Sequence, residues 1–122
     1  MKITNFEDIE AWQLARKLCQ AVDAVVAKGA FARSYALKDQ IDRASGSAMD
    51  NIAEGFDGGS NAEFVRFLTY AQRSCTEVKS QLHRAQDRSL ITADEFAAIY
   101  GLATECHGKI GGFIRYLKNC GK

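Results

Sequence analysis

The 122-residue sequence contains no proline. It also has no Val/Ile/Thr-rich segment that alternates with period two, so nothing in it predicts a sheet. Long apolar runs are missing: the longest nearly apolar stretch, Phe96 to Ala103, includes Tyr100 and Gly101 and falls far short of the roughly 20 residues a membrane span needs. The N-terminal residues Met1 to Asp8 have one basic residue, early acids and no apolar segment, which excludes a signal peptide and makes the cytoplasm the expected compartment. An excess of one charge sign is lacking too. Sixteen Lys and Arg against fifteen Asp and Glu leave +1, which excludes gripping nucleic acid by bulk charge but not by a local basic patch.

Metal and cofactor chemistry is short of ligands. The four cysteines, Cys19, Cys75, Cys106 and Cys120, are dispersed without a C-x-x-C pair, so they read as small apolar residues of a reducing compartment rather than as a zinc site. A di-iron site needs two Glu-x-x-His pairs, and neither His83 nor His107 has a Glu three residues earlier. Bis-histidine haem fails on register: across a loop near residue 91 the two rings differ in height by roughly 12 Å at about 1.5 Å per residue. Cys106 and His107 are adjacent and so point about 100° apart on a helix. No nucleophile elbow, phosphate loop or dinucleotide fingerprint occurs, and the carboxylates Asp94 and Glu95 sit where a helix dipole favours them. The reading is therefore no catalytic residue, no metal, no cofactor and no enzyme.

What is there is helical period. Phe64, Leu68, Ala71, Cys75, Val78, Leu82 and Ala85 follow 4-3-4-3 spacing, as do Phe96, Ile99, Ala103, Cys106, Ile110, Phe113, Leu117 and Cys120. Such stripes face partner helices in near-antiparallel packing. Ser60-x-x-Glu63 and Thr92-x-x-Glu95 are capping boxes that start them. A first helix runs over about 8–28 to Gly29, and a second over about 35–56, with Ile41, Ala44, Ala48 and Ile52 inward, ends at Gly55-Phe56-Asp57-Gly58-Gly59. The third and fourth cover about 61–88 and 93–119. Short connections favour up-down-up-down topology, so the expected architecture is all-α: one antiparallel four-helix-bundle domain spanning 1–122.

The first helix carries more apolar surface than one seam uses. Ile9, Trp12, Ala15, Leu18, Cys19, Val22, Val25 and Val26, with Leu14 and Ala21, cover more than about 180°, where a core-facing stripe needs about 100°. Surplus of this kind implies either loops folded over it or a partner, often a second copy. The candidate subunit interface comprises Ile9, Leu14, Leu18, Val25, Tyr100 and Tyr116.

Two polar stripes stand out. On the second helix Gln40, Arg43, Ser47, Asn51 and Glu54 recur every three or four residues, either as a solvated face with pairs such as Asp39–Arg43 or as a hydrogen-bonded seam. Glu54, near a helix C-terminus, leans toward the seam because a carboxylate there is unfavourable without a partner. On the third helix Arg66, Arg73 and Arg84 lie within about 20° of one another, with Arg88 close by, opposite the apolar seam. The second helix sums to −2 and the third to +2. Glu77 shares the arginine stripe and stands in position to pair with Arg73, which leaves a solvated face as the alternative to a nucleic-acid surface.

With the helices placed, a family pattern emerges. Phe6-Glu7-Asp8-Ile9-Glu10-Ala11-Trp12-Gln13 opens the chain, and Gln40-Ile41-Asp42-Arg43-Ala44 leads to Asn51-Ile52-Ala53-Glu54-Gly55-Phe56. Glu63-Phe64-Val65-Arg66-Phe67-Leu68 and Glu77-Val78-Lys79-Ser80-Gln81-Leu82 follow. This order resembles the four-helix-bundle family of bacterial 23S rRNA intervening-sequence (S23) proteins, related to the accessory protein of diversity-generating retroelements. The resemblance implies a homopentameric ring without enzymatic activity. It makes Trp12, Gln40, Arg43, Asn51, Glu54 and Gly55 signature residues. Two readings follow: an oligomeric scaffold that binds RNA or DNA, with itself as first partner, or a structural or protein-interaction module without nucleic acid.

Overall fold

The computed structural model describes residues 3–120. They form a 3-10 turn, Phe6–Asp8, and five helices: α1 Glu10–Val26, α2 Gly29–Arg33, α3 Tyr35–Asp57, α4 Asn61–Asp87 and α5 Ala93–Cys120. No strand occurs among the described residues, and none of their helices is long and apolar enough to cross a membrane.

Helix starts follow local chemistry. Ser60 Oγ accepts from the Glu63 amide at 3.1 Å. The Glu63 carboxylate does not return to Ser60 but takes Arg66 at 2.6 Å, so this box is half closed. The box at Thr92 is complete: Thr92 N–H donates to Glu95 Oε1 at 2.9 Å and Glu95 N–H to Thr92 Oγ1 at 3.0 Å. Each such cap contributes about 0.5–2 kcal/mol. Helix α4 stops without glycine. Ser89 takes φ 59°, Leu90 N–H reaches Ala85 O and Ser89 N–H reaches Gln86 O, the pairing of a Schellman motif.

The four long helices pack in a cycle in which α1 and α4 both lie between α3 and α5. Along α3 and α4, Gln40 meets Arg84, Ser47 meets Ser74, and Gly55 meets Phe64 and Phe67, so numbers rise on one helix as they fall on the other. The same holds for α4 and α5 (Phe64 with Phe113, Gln72 with His107, His83 with Phe96). It holds again where Glu10 meets Lys109 and Lys28 meets Glu95. The α4 stripe from Phe64 to Ala85 is buried throughout. On α5 the stripe is buried at Ile99, Ala103, Cys106, Ile110 and Leu117, but Phe96 and Phe113 are only partly covered and Cys120 is exposed.

The wide apolar arc of α1 is covered within the chain. Beyond α3 and α5, it is flanked by the 3-10 turn and by α2, a five-residue helix that the sequence pattern does not announce. Phe31 of α2 is fully buried, and Phe6 of the turn lies edge-on to Trp12 at 5.1 Å. Ile9, Leu18 and Val25 are consequently buried in the chain's own core and are withdrawn as interface residues. Of the other candidates Leu14 and Tyr100 are half-buried and Tyr116 is exposed. Tyr100 is engaged internally, stacked on Phe96 at 5.2 Å with Lys79 Nζ 4.8 Å above its ring.

Candidate functional site

The α3–α4 seam unites the two polar stripes. At one end the backbones come close enough to require glycine: a Cβ on Gly55 would stand 2.8 Å from Phe67 Cβ and 2.9 Å from Phe64 Cδ1. This accounts for Gly55 as the last residue of the Asn-Ile-Ala-Glu-Gly string. In the middle, Asn51 Nδ2 donates to Ser47 O at 2.8 Å and to Ser47 Oγ at 2.9 Å, while Ser74 Oγ lies 3.1 Å from Ser47 Oγ. Asn51 therefore pins the turn that meets α4.

Toward the other end lies a groove of about 550 Å³ lined by Gln40, Arg43, Ala44, Ser47, Glu77, Ser80, Gln81 and Arg84. Arg84 Nη1 donates to Gln40 Oε1 at 2.8 Å across the groove. Arg43 leans along its own helix to Asp39 at 3.2 Å. Glu77 makes no ion pair among the described residues, so the anticipated Arg73–Glu77 pair is not formed; a base preceding an acid at this spacing is the weaker orientation. Gln81, which neither polar stripe includes, forms part of the wall. It is 8% exposed, and its Oε1 has no hydrogen-bond partner among the described residues.

The second-helix stripe is thus neither wholly solvated nor wholly a seam. Asn51 and Ser47 are in the seam, Gln40 and Arg43 border the groove, and Glu54 is exposed with no hydrogen bond or ion pair among the described residues. Trp12 is a core residue, with the Arg16 guanidinium 5.9 Å from its ring centroid.

The four arginines of α4 and its C-cap are all exposed. Arg66 is tied to Glu63 and Tyr70 and lies over the Phe67 ring at 4.9 Å. Arg84 is tied to Gln40, and Arg73 and Arg88 make no ion pair among the described residues. The stripe therefore presents less free charge than a count of four suggests.

Among the described residues no cluster of three His, Cys, Asp or Glu side chains is placed to hold a metal. His83 is an exposed aromatic neighbour of Phe96 and Tyr100, at 5.0 and 5.5 Å. Burial, with Lys79 nearby, pushes the His107 pKa down. Burial also lifts the Cys19 thiol to about 11, where it donates to Ser45 O at 3.0 Å.

The fold has a solved counterpart. A crystal structure of a protein of unknown function from the S23 ribosomal protein family of Bacteroides thetaiotaomicron superposes with a TM-score of 0.72 at 21% identity, over 85% of this chain and 94% of that one. No curated protein matches the chain. The description of the family matched by residues 7–112 is 23S rRNA-intervening sequence protein, and it names no enzymatic activity. With Gly55, Asn51 and Gln40 placed along the one seam where the signature strings meet, the chain belongs to the family of 23S rRNA-intervening sequence proteins.

Proposed function

We propose that the chain is a non-enzymatic scaffold subunit: an up-down-up-down four-helix bundle that assembles with copies of itself, five by family resemblance, and meets RNA or DNA through α4. The observation that carries the nucleic-acid reading is the run of exposed arginines, Arg66, Arg73, Arg84 and Arg88, along one helix. Repetition around a ring turns a modest stripe into a multivalent surface, because linked weak interactions act at high effective concentration. The resemblance to retroelement accessory proteins supports the same reading. Tyr116 and Tyr35 support assembly, since they are large side chains left 54% and 76% exposed. Glu54 supports it as well, as a carboxylate in the last turn of α3 without a partner among the described residues.

The rival is a structural or protein-interaction module without nucleic acid, favoured by the pairing of Arg66 with Glu63 and of Arg84 with Gln40. Fluorescence anisotropy with a labelled single-stranded RNA separates them. The scaffold reading expects binding that weakens steeply with salt. It also expects a shallower salt slope in Arg73→Gln and Arg88→Gln, by about one unit for each phosphate no longer neutralised. No binding at low salt gives the function to the rival.

A further inference from the structure

One wall of the groove between α3 and α4 is a buried amide whose oxygen no described residue pairs. Gln81 lines this groove, is more than nine-tenths buried, and its Oε1 meets no donor among the described residues. Buried polar groups are otherwise almost always paired. Its core-facing neighbours Val78 and Leu82 are apolar, so a leucine or methionine at 81 would suit the interior without leaving an unpaired atom.

The surroundings say what kind of molecule fits. Arg43 and Arg84 stand on opposite walls, and each uses only part of its five-donor fork inside the chain, on Asp39 and Gln40. Their remaining donors suit an anionic group such as a carboxylate. Glu77 shares the groove without an ion pair among the described residues, and it offers an acceptor to a peptide N–H. No aromatic side chain is among the described residues that line the groove, which removes the stacking platform that unpaired bases use. A peptide group offers both N–H and C=O, and so matches the Gln81 amide in either rotation of its terminal atoms. The volume, about 550 Å³, lies within the range of small-ligand clefts.

We propose that the α3–α4 groove binds a carboxylate-bearing polypeptide segment, with a main-chain amide on Gln81 and the carboxylate between Arg43 and Arg84. The site shares Arg84 with the proposed nucleic-acid stripe but uses none of Arg66, Arg73 and Arg88, so peptide binding and RNA binding can fail independently.

The test is an amide-resolved NMR titration of the full chain with acetyl-Gly-Asp-Gly-amide, its Asn counterpart and an eight-residue oligouridylate. The Asp peptide is expected to shift the Ser47, Ser80, Gln81 and Arg84 signals saturably. The Asn peptide, and the Asp peptide on Arg84→Gln, should bind about tenfold more weakly. Gln81→Met should fold normally and lose the response. The proposal is overturned if the Asp peptide produces no saturable shift, if the response survives in Gln81→Met, or if the oligouridylate shifts these signals and the peptide does not. Groove signals that move on dilution, showing a second copy seated there, overturn it as well.

Discussion

Replacing Gly55 by alanine places a methyl group where α3 and α4 touch. The new Cβ would lie 2.8 Å from Phe67 Cβ, 2.9 Å from Phe64 Cδ1 and 3.3 Å from Phe64 O. Two of these three atoms are a backbone oxygen and a Cβ, which no rotamer change moves away. The helices must separate, and overpacking of this kind costs about 1–3 kcal/mol. Helix propensity works the other way by up to about 1 kcal/mol, and by less here because Gly55 lies in the last turn of α3, which ends at Asp57. The net expectation is a destabilisation of about 1–2 kcal/mol. Gly46, in the middle of the same helix, is the matched control: a Cβ there meets nothing within 4 Å, so Gly46→Ala should gain up to about 1 kcal/mol. Urea unfolding followed by circular dichroism gives both values. At a chain length of 122, about 1 kcal/mol corresponds to about 4 °C in Tm. A Gly55→Ala protein as stable as the wild type would refute close approach as the reason for this glycine.

Ser89 holds a left-handed φ of 59° at the end of α4, a conformation that penalises a Cβ. Ser89→Gly should therefore raise stability by about 0.5–1 kcal/mol, measured by the same unfolding curves. Thr92→Ala should cost about 0.5–2 kcal/mol by opening the α5 cap. Glu95 is held below its ordinary range by the Thr92 amide first and Lys28 second. Its contribution is thus complete above the ordinary glutamate value of 4.5 and lost as pH falls through the lowered folded-state value. A Glu95→Gln deficit that persists unchanged at still lower pH would contradict this. A thiol reagent at mildly alkaline pH should modify Cys120 rapidly and Cys19, Cys75 and Cys106 only on unfolding, because Cys120 is exposed while Cys75 and Cys106 are buried and the Cys19 thiol is pushed up to about 11.

The elements that were legible in the sequence are those with local signals. Ser60 and Thr92 mark helix starts through their own side chains, and the 4-3-4-3 stripe of α4 is buried from Phe64 to Ala85. The arc of α1 misled because arc width counts neighbours of every kind: Leu18 and Val25 are buried by packing inside the chain, not by a second copy. Helix α2 escaped notice because five residues carry less than two helical turns of pattern, and its one informative residue, Phe31, says only that something is buried. At the groove, Gln40 and Arg43 could be placed on one face of a helix, but their opposition to Arg84 and Gln81 is a tertiary fact. The signal that could have found Gln81 is its place among inward positions: it lies three residues after Val78 and beside Leu82, both on the apolar side of α4.

Whether this helical chain is a subunit decides where its function resides, and native mass spectrometry of the full chain reads that out. One dominant species at five times 13.4 kDa, persisting at low micromolar concentration, is the expected result, whereas a species at 13.4 kDa alone would contradict assembly.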